Sequence, residues 1–422
     1  MFPRNRSALF FCLSLTLIFC DVSADDYADA RAELVAAYRQ ADYPAMRIAA
    51  REALAARPGY PGALFNLALA QALDDDPAAS LQTLRDLSSV GADFGVADRD
   101  EFAALKDLLE WGEYATDIQR LNEPTGFAEV VATLDTGDFI PEGIAADSDG
   151  RFYLGGIRHG DLVRLGERPK TLSTPKNEHW SVFGMRFDGE GGLWFASAAV
   201  PQFADGEEDF GDSGLFRYDL ASGEISDKAL LLSFDDAHVL GDLVLAPGDV
   251  IYTTDSLTGI LYRYSIENAD FQVVVDRNVF GSPQGLVLDD TKRFLYVADY
   301  IGGLYRVRLE SGEIDKVTIR ANATDYGIDG LYRYGNELIA IQNGVRPHRV
   351  VALTLSDDGL SIIAARTIAS NLEEFDEPTL GFVSGDDFFF VANSHWNRFD
   401  QDNSLPQGLS GPIILRVSLL SD

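Results

Sequence analysis

One short apolar unit with an arginine at its centre recurs through most of the chain, and it limits the fold more than any other feature. It reads DLVRL (161–165), GLFRYDL (214–220), ILYRYSI (260–266), GLYRVRL (303–309), RVVALTL (349–355) and IILRVSL (413–419). The shared position is Arg164, Arg217, Arg263, Arg306, Ala352 and Arg416, and the middle steps (217 to 263 to 306 to 352) are 43 to 46 residues. Ahead of each copy lies a second unit: a turn, an apolar strand, an Asp/Gly turn and another apolar strand. Examples are PEGIAADSDGRFYLGG (141–156), PQGLVLDDTKRFLYVAD (283–299) and IDGLYRYGNELIAIQNG (328–344). Several strands per unit, repeated at roughly 40–50 residues, form the pattern of sheets stacked radially about an axis. A lone sheet of this size cannot bury both faces, whereas radial stacking buries them against neighbours. Six copies predict a mainly β chain with a six-bladed β-propeller over 123–422. A β-sandwich would explain neither the period nor the count. FAEVVATLD (127–135) precedes the first turn and is expected to supply the outermost strand of the last blade, closing the ring.

Residues 25–122 follow a different pattern. Alanine is dense, and apolar residues recur at helical spacing, as in Leu34, Tyr38, Met46, Ala50 and Leu54. A weak repeat at offset 34 pairs Ala36 with Ala70, Asp42 with Asp76 and Ala45 with Ala79. This resembles tetratricopeptide repeats, whose helix–turn–helix unit has a similar length. The alternative is a plain helical hairpin bundle, and in either case the segment is expected to serve docking rather than chemistry. Texture changes at Asn122-Glu123-Pro124-Thr125-Gly126, where the domain boundary is expected.

The first 24 residues read as a signal peptide, with Arg4 and Arg6 ahead of the apolar run 8–20 and Val22-Ser23-Ala24 at the cleavage site. The run is too short to span a bilayer. A periplasmic or secreted protein is expected, with no membrane attachment once the signal is removed. Both cysteines, Cys12 and Cys20, lie in this segment, so cysteine nucleophiles and thiolate metal sites are excluded from the mature chain. The 67 acidic residues outnumber 34 basic ones, for a formal charge of −33. Such a surface repels phosphate backbones, which argues against nucleic-acid partners.

In a propeller, the turn before each innermost strand points one residue per blade at the axis. The repeats align Glu142, Phe183, Gly241, Gln284, Asp329 and Leu380 at that position. Carboxylate and amide oxygens converging there are hard ligands, suited to calcium. The turns PEG, PQG and IDG, with YTTDS and LYVADY downstream, resemble the senescence-marker-protein/gluconolactonase family over roughly residues 127–422. Strictosidine-synthase-like and paraoxonase propellers are close to it in pattern. The resemblance implies a calcium-dependent lactonase acting on a small-molecule lactone or related ester. By position it makes Glu142 and Asp329 metal ligands, with Asp329 also the candidate general base. Gln284 stands where the family has Asn, so the amide is kept. Gly241 stands where another Asn is expected, and Asp242 beside it is an additional channel candidate. No histidine falls on an axial position. His395, in NSHWNRFD (393–400), is the rim candidate. No G-x-S-x-G elbow, P-loop or H-E-x-x-H occurs. The alternative reading is a non-catalytic propeller that binds a ligand or protein partner through the helical segment, and Gly241 favours it.

Overall fold

A computed structural model describes residues 26–204, 209–233 and 236–420, so the signal-peptide reading lies outside the described residues. The chain forms two compact units, Met1–Ser88 with Phe94–Ala115, and Ser89–Asp93 with Thr116–Asp422.

The first unit is built on α1 (Asp26–Gln40), α2 (Tyr43–Ala56), α3 (Pro61–Leu73) and α4 (Pro77–Ser89), and α5 (Trp111–Leu121) begins within it. The carboxylate of Asp42 accepts from the Ala45 N–H at 3.1 Å, and that of Asp76 from Ala79 at 3.1 Å. These are N-caps of α2 and α4, each followed by a proline in the first helical turn. Two of the three offset-34 pairs are therefore a cap and its donor, and helix capping accounts for them without invoking a family.

The second unit is a ring of six sheets. Its innermost strands are Pro141–Ala146, Ser181–Phe187, Leu240–Ala246, Pro283–Leu288, Ile328–Tyr334 and Gly381–Ser384. Each packs on the next, and the sixth returns to the first. The last blade is completed by Glu129–Thr133, which pairs antiparallel with Ile413–Ser418. The expected closing strand is thus in place. The fifth blade gains Thr318–Ile319 as an outermost strand.

The repeated arginine has a partner. Arg164 lies opposite Tyr153, Arg217 opposite Trp194, Arg263 opposite Tyr252, Arg306 opposite Tyr296 and Arg416 opposite Phe389. Where the arginine becomes Ala352, the partner becomes Ile339. Cross-strand pairs of this kind are the unit of sheet stabilisation. Between blades the core is apolar: Leu193, Phe195 and Phe216 of the second blade pack on Ala145, Tyr153 and Leu162 of the first.

The innermost ladder slips at the same place in five blades. The slips fall between Pro141 and Ile144, Val182 and Met185, Leu240 and Leu243, Pro283 and Leu286, and Ile328 and Leu331. The residues skipped are Glu142-Gly143, Phe183-Gly184, Gly241-Asp242, Gln284-Gly285 and Asp329-Gly330. A bulge leaves its residue out of the ladder and re-aims its side chain. The glycine beside it is required by contact. A Cβ on Gly143 would stand 1.9 Å from the Phe183 carbonyl oxygen, and one on Gly285 2.4 Å from the Leu331 nitrogen. Only the third blade inverts the order and puts Gly241 first.

Candidate functional site

The bulges deliver the axial residues to one mouth of the ring. Glu142 and Asp329 are both buried, at 6% and 9% exposure. Trp396 Nε1–H donates to Glu142 Oε2 at 2.7 Å. Asn343 Nδ2–H donates to Asp329 Oδ2 at 2.7 Å. Each bond engages one oxygen of its carboxylate, and among the described residues no side chain is seen to bond the other. Burial is the main reason that the Glu142 carboxyl is pushed well above the usual range, and the charge of Asp329 adds to it. Burial likewise pushes Asp329 up to about 7, against the Asn343 bond, with Glu377 and Asp242 adding repulsion. The two acids therefore lie buried within electrostatic reach of each other, and each disfavours ionisation of the other.

Gln284 is half-buried and donates to Ser282 Oγ at 3.0 Å. Its Oε1 lies 3.6 Å from where a Cβ on Gly241 would stand, and nothing else comes as close. The missing side chain of Gly241 is thus open space beside the Gln284 amide. Asp242 turns elsewhere. Its carboxylate sits 2.2 Å from where a Cβ on Gly184 would be, and Arg186 pairs with it at 3.1 Å. Burial raises the Asp242 carboxyl, and Arg186 opposes that rise. Asp242 is therefore the partner of the half-buried Arg186 guanidinium and offers little to the mouth.

His395 is buried, with Nδ1 2.9 Å from Asp376 Oδ2 and Nε2 3.0 Å from the Ser410 carbonyl. Both ring nitrogens are engaged in holding the loop. Its neighbour Trp396 is the residue of this segment that reaches the site, bonding Glu142 and stacking on Phe183 with ring centres 6.5 Å apart.

Axial alignment overlooks three further residues. Glu377 stands outside the repeated turn with φ +64°, a strained value for a residue with a side chain. Burial pushes its carboxyl up to about 7, held down in part by the Asn397 N–H, which donates to Oε2 at 2.7 Å. Trp396 is signalled only by its place in a long polar loop. Asn343, in IQNG (341–344), follows the second strand of the fifth blade and carries no sequence signal of its own. Its Oδ1 is buried with no hydrogen-bond partner among the described residues. Leaving such an acceptor unmet costs about 1–3 kcal/mol.

Among the described residues, no three His, Cys, Asp or Glu side chains come together to hold one ion. A cation here would rest on two carboxylates and neutral oxygens. The donors present fit that requirement. Glu142 and Asp329 supply charge, Gln284 an amide oxygen, and Asn343 Oδ1 is an acceptor with no partner among the described residues. All are hard oxygen donors.

No known family's sequence model matches the chain, and no curated protein matches it. Solved structures do. The major allergen Mala s 1 of Malassezia sympodialis is 14% identical, with 67% of this chain and 95% of that one covered at a TM-score of 0.51. A putative gluconolactonase is 13% identical over 70% of this chain and 92% of that one, at 0.46. The PQQ-bound aldose sugar dehydrogenase of Streptomyces coelicolor is 15% identical over 70% and 98%, at 0.48. At such identity the likeness to the allergen is one of fold.

Proposed function

We propose that the chain is a divalent-metal-assisted hydrolase of a lactone or related ester, gluconolactonase-like in chemistry and exported to the periplasm or the medium. One observation carries this reading. Glu142 and Asp329, from two blades, are both buried and act on each other electrostatically, each with a single oxygen bonded among the described residues. Two carboxylates taken out of water need a counter-charge. Arg186 cannot serve, because Asp242 already holds it. Calcium, at roughly 2.3–2.6 Å from its oxygens, suits the donors. When bound, it would polarise the carbonyl of a cyclic ester.

The chain's own residues do the rest. Trp396 fixes the Glu142 carboxylate, and Asn343 fixes that of Asp329. Asp329 stands as the acceptor for the proton of the attacking water. Phe183 and Trp396 stack beside Glu142 as an aromatic wall of the mouth.

The test is calcium titration of the mature protein with a lactone hydrolysis screen, with and without chelator. Glu142→Gln and Asp329→Asn are expected to lose calcium binding while keeping their circular dichroism. Absence of bound calcium together with absence of chelator-sensitive hydrolysis overturns the reading. A second reading, a non-catalytic propeller binding a ligand or a protein partner through the helical unit, is favoured by Gly241, which removes one side chain from the mouth. It predicts ligand binding with no turnover by the same screen.

A further inference from the structure

Resting on the metal reading above, we propose that Asn343 supplies a coordinating amide oxygen and stands in for the side chain that Gly241 lacks. The orientation of its amide carries the inference. Nδ2 donates to Asp329 Oδ2 at 2.7 Å and to the Pro378 carbonyl at 3.0 Å. Reversing the amide would set an oxygen against two oxygens, so bonding alone decides which end is nitrogen. Oδ1 is then a true acceptor, buried and without a partner among the described residues. It is held on the same amide that grips Asp329, one hydrogen bond from a proposed ligand.

A buried acceptor in an acidic enclosure calls for a cation or a donor. Amide oxygens are neutral hard ligands, and calcium sites combine them with carboxylates. With Asn343 included, the donor set becomes Glu142, Asp329, Gln284 and Asn343, two charges and two amides. The position of Asn343 explains why turn-by-turn comparison overlooks it. It follows Glu337–Gln342, the second strand of the fifth blade, and not the axial bulge. The amide lost from one blade is supplied by another element of the ring.

The test is calorimetric calcium titration of the mature chain and of two variants. Asn343→Leu removes both the oxygen and the bond to Asp329, and should weaken calcium binding by about tenfold or more. Asn343→Asp also loses the N–H bond but keeps an oxygen and adds charge. It should bind calcium at least as tightly as the parent, while its calcium-free form melts at a lower temperature through added repulsion. If Asn343→Asp is weakened as much as Asn343→Leu, the residue acts only by holding Asp329 and the inference is overturned. Unchanged affinity in Asn343→Leu overturns it as well. If Asn343→Leu fails to fold, Asn343→Asp against the parent decides alone. A parent chain that binds no calcium overturns the metal reading itself, an outcome distinct from the other two.

Discussion

His179 shows burial deciding what a titratable side chain does. It is 1% exposed, with Nε2 2.8 Å from Ser173 Oγ, Nδ1 3.1 Å from the Trp180 carbonyl, and the rings of Phe195 and Phe216 beside it. Neither partner is anionic, so desolvation dominates and lowers its pKa from 6.5 to about 4. In the unfolded chain it titrates normally. The unfolded state therefore binds more protons between those values, and stability falls as pH drops through the window. A shift of this size corresponds to as much as roughly 3 kcal/mol. His348, lowered likewise to about 4, adds to that loss, while Asp329 and Glu377, raised to about 7, oppose it. Between pH 7.5 and 4.5, denaturant unfolding should therefore show the parent losing more, or gaining less, stability than His179→Gln. Equal changes would mean that His179 is not a group responsible. The site acids show where residue-level reading succeeds and stops. Glu142 and Asp329 are legible because the repeat carries them to equivalent positions. Glu377, Trp396 and Asn343 are not, because each lies outside the repeated turn and is brought in by a neighbouring loop. The rim histidine, His395, stands one residue from Trp396, the side chain that reaches Glu142.

The bulge-and-glycine pair is the element that turns a repeat into a site. Its glycine is set by clearance from the neighbouring inner strand, not by ligand chemistry. Gly143→Ala would drive a methyl into the Phe183 carbonyl at 1.9 Å, a backbone atom that cannot step aside. Overpacking of that kind costs about 1–3 kcal/mol or more, so a marked fall in melting temperature is expected. Gly241→Ala is the control, since only Gln284 Oε1, at 3.6 Å, lies near the added atom. It should melt close to the parent. If both alanines are tolerated equally, the inner strands are not in the close approach described. The same open space makes Gly241→Asn informative. It restores an amide beside Gln284 and should tighten calcium binding, as measured by titration. The arginine repeat was equally readable, because its aromatic partner travels with it across the ladder. The slip of register that aims the axial side chains was not, since two strands must be aligned before a bulge exists.

For the molecule as a whole, the period and count of repeats fix the ring, and an N-terminal segment next to the first turn fixes its closure. Charge has no such local signature. A formal −33 acts over the entire surface, and self-repulsion opposes the compact state. Salt screens it, with a Debye length of roughly 10 Å at 0.1 M. Raising sodium chloride from 0.05 to 0.5 M should therefore raise the melting temperature without any specific site. Calcium would act in two ways, as a screening ion and as a ligand of the mouth, and the two separate under one condition. At 0.5 M sodium chloride diffuse screening is largely saturated, so any further gain from millimolar calcium reports the site. A ligand at a hundred times its dissociation constant adds about 2.7 kcal/mol. The parent should keep a calcium-dependent rise in melting temperature at high salt, and Glu142→Gln should lose it. If Glu142→Gln gains as much as the parent, calcium is held by the acidic surface at large, and the buried pair at the mouth is not its site.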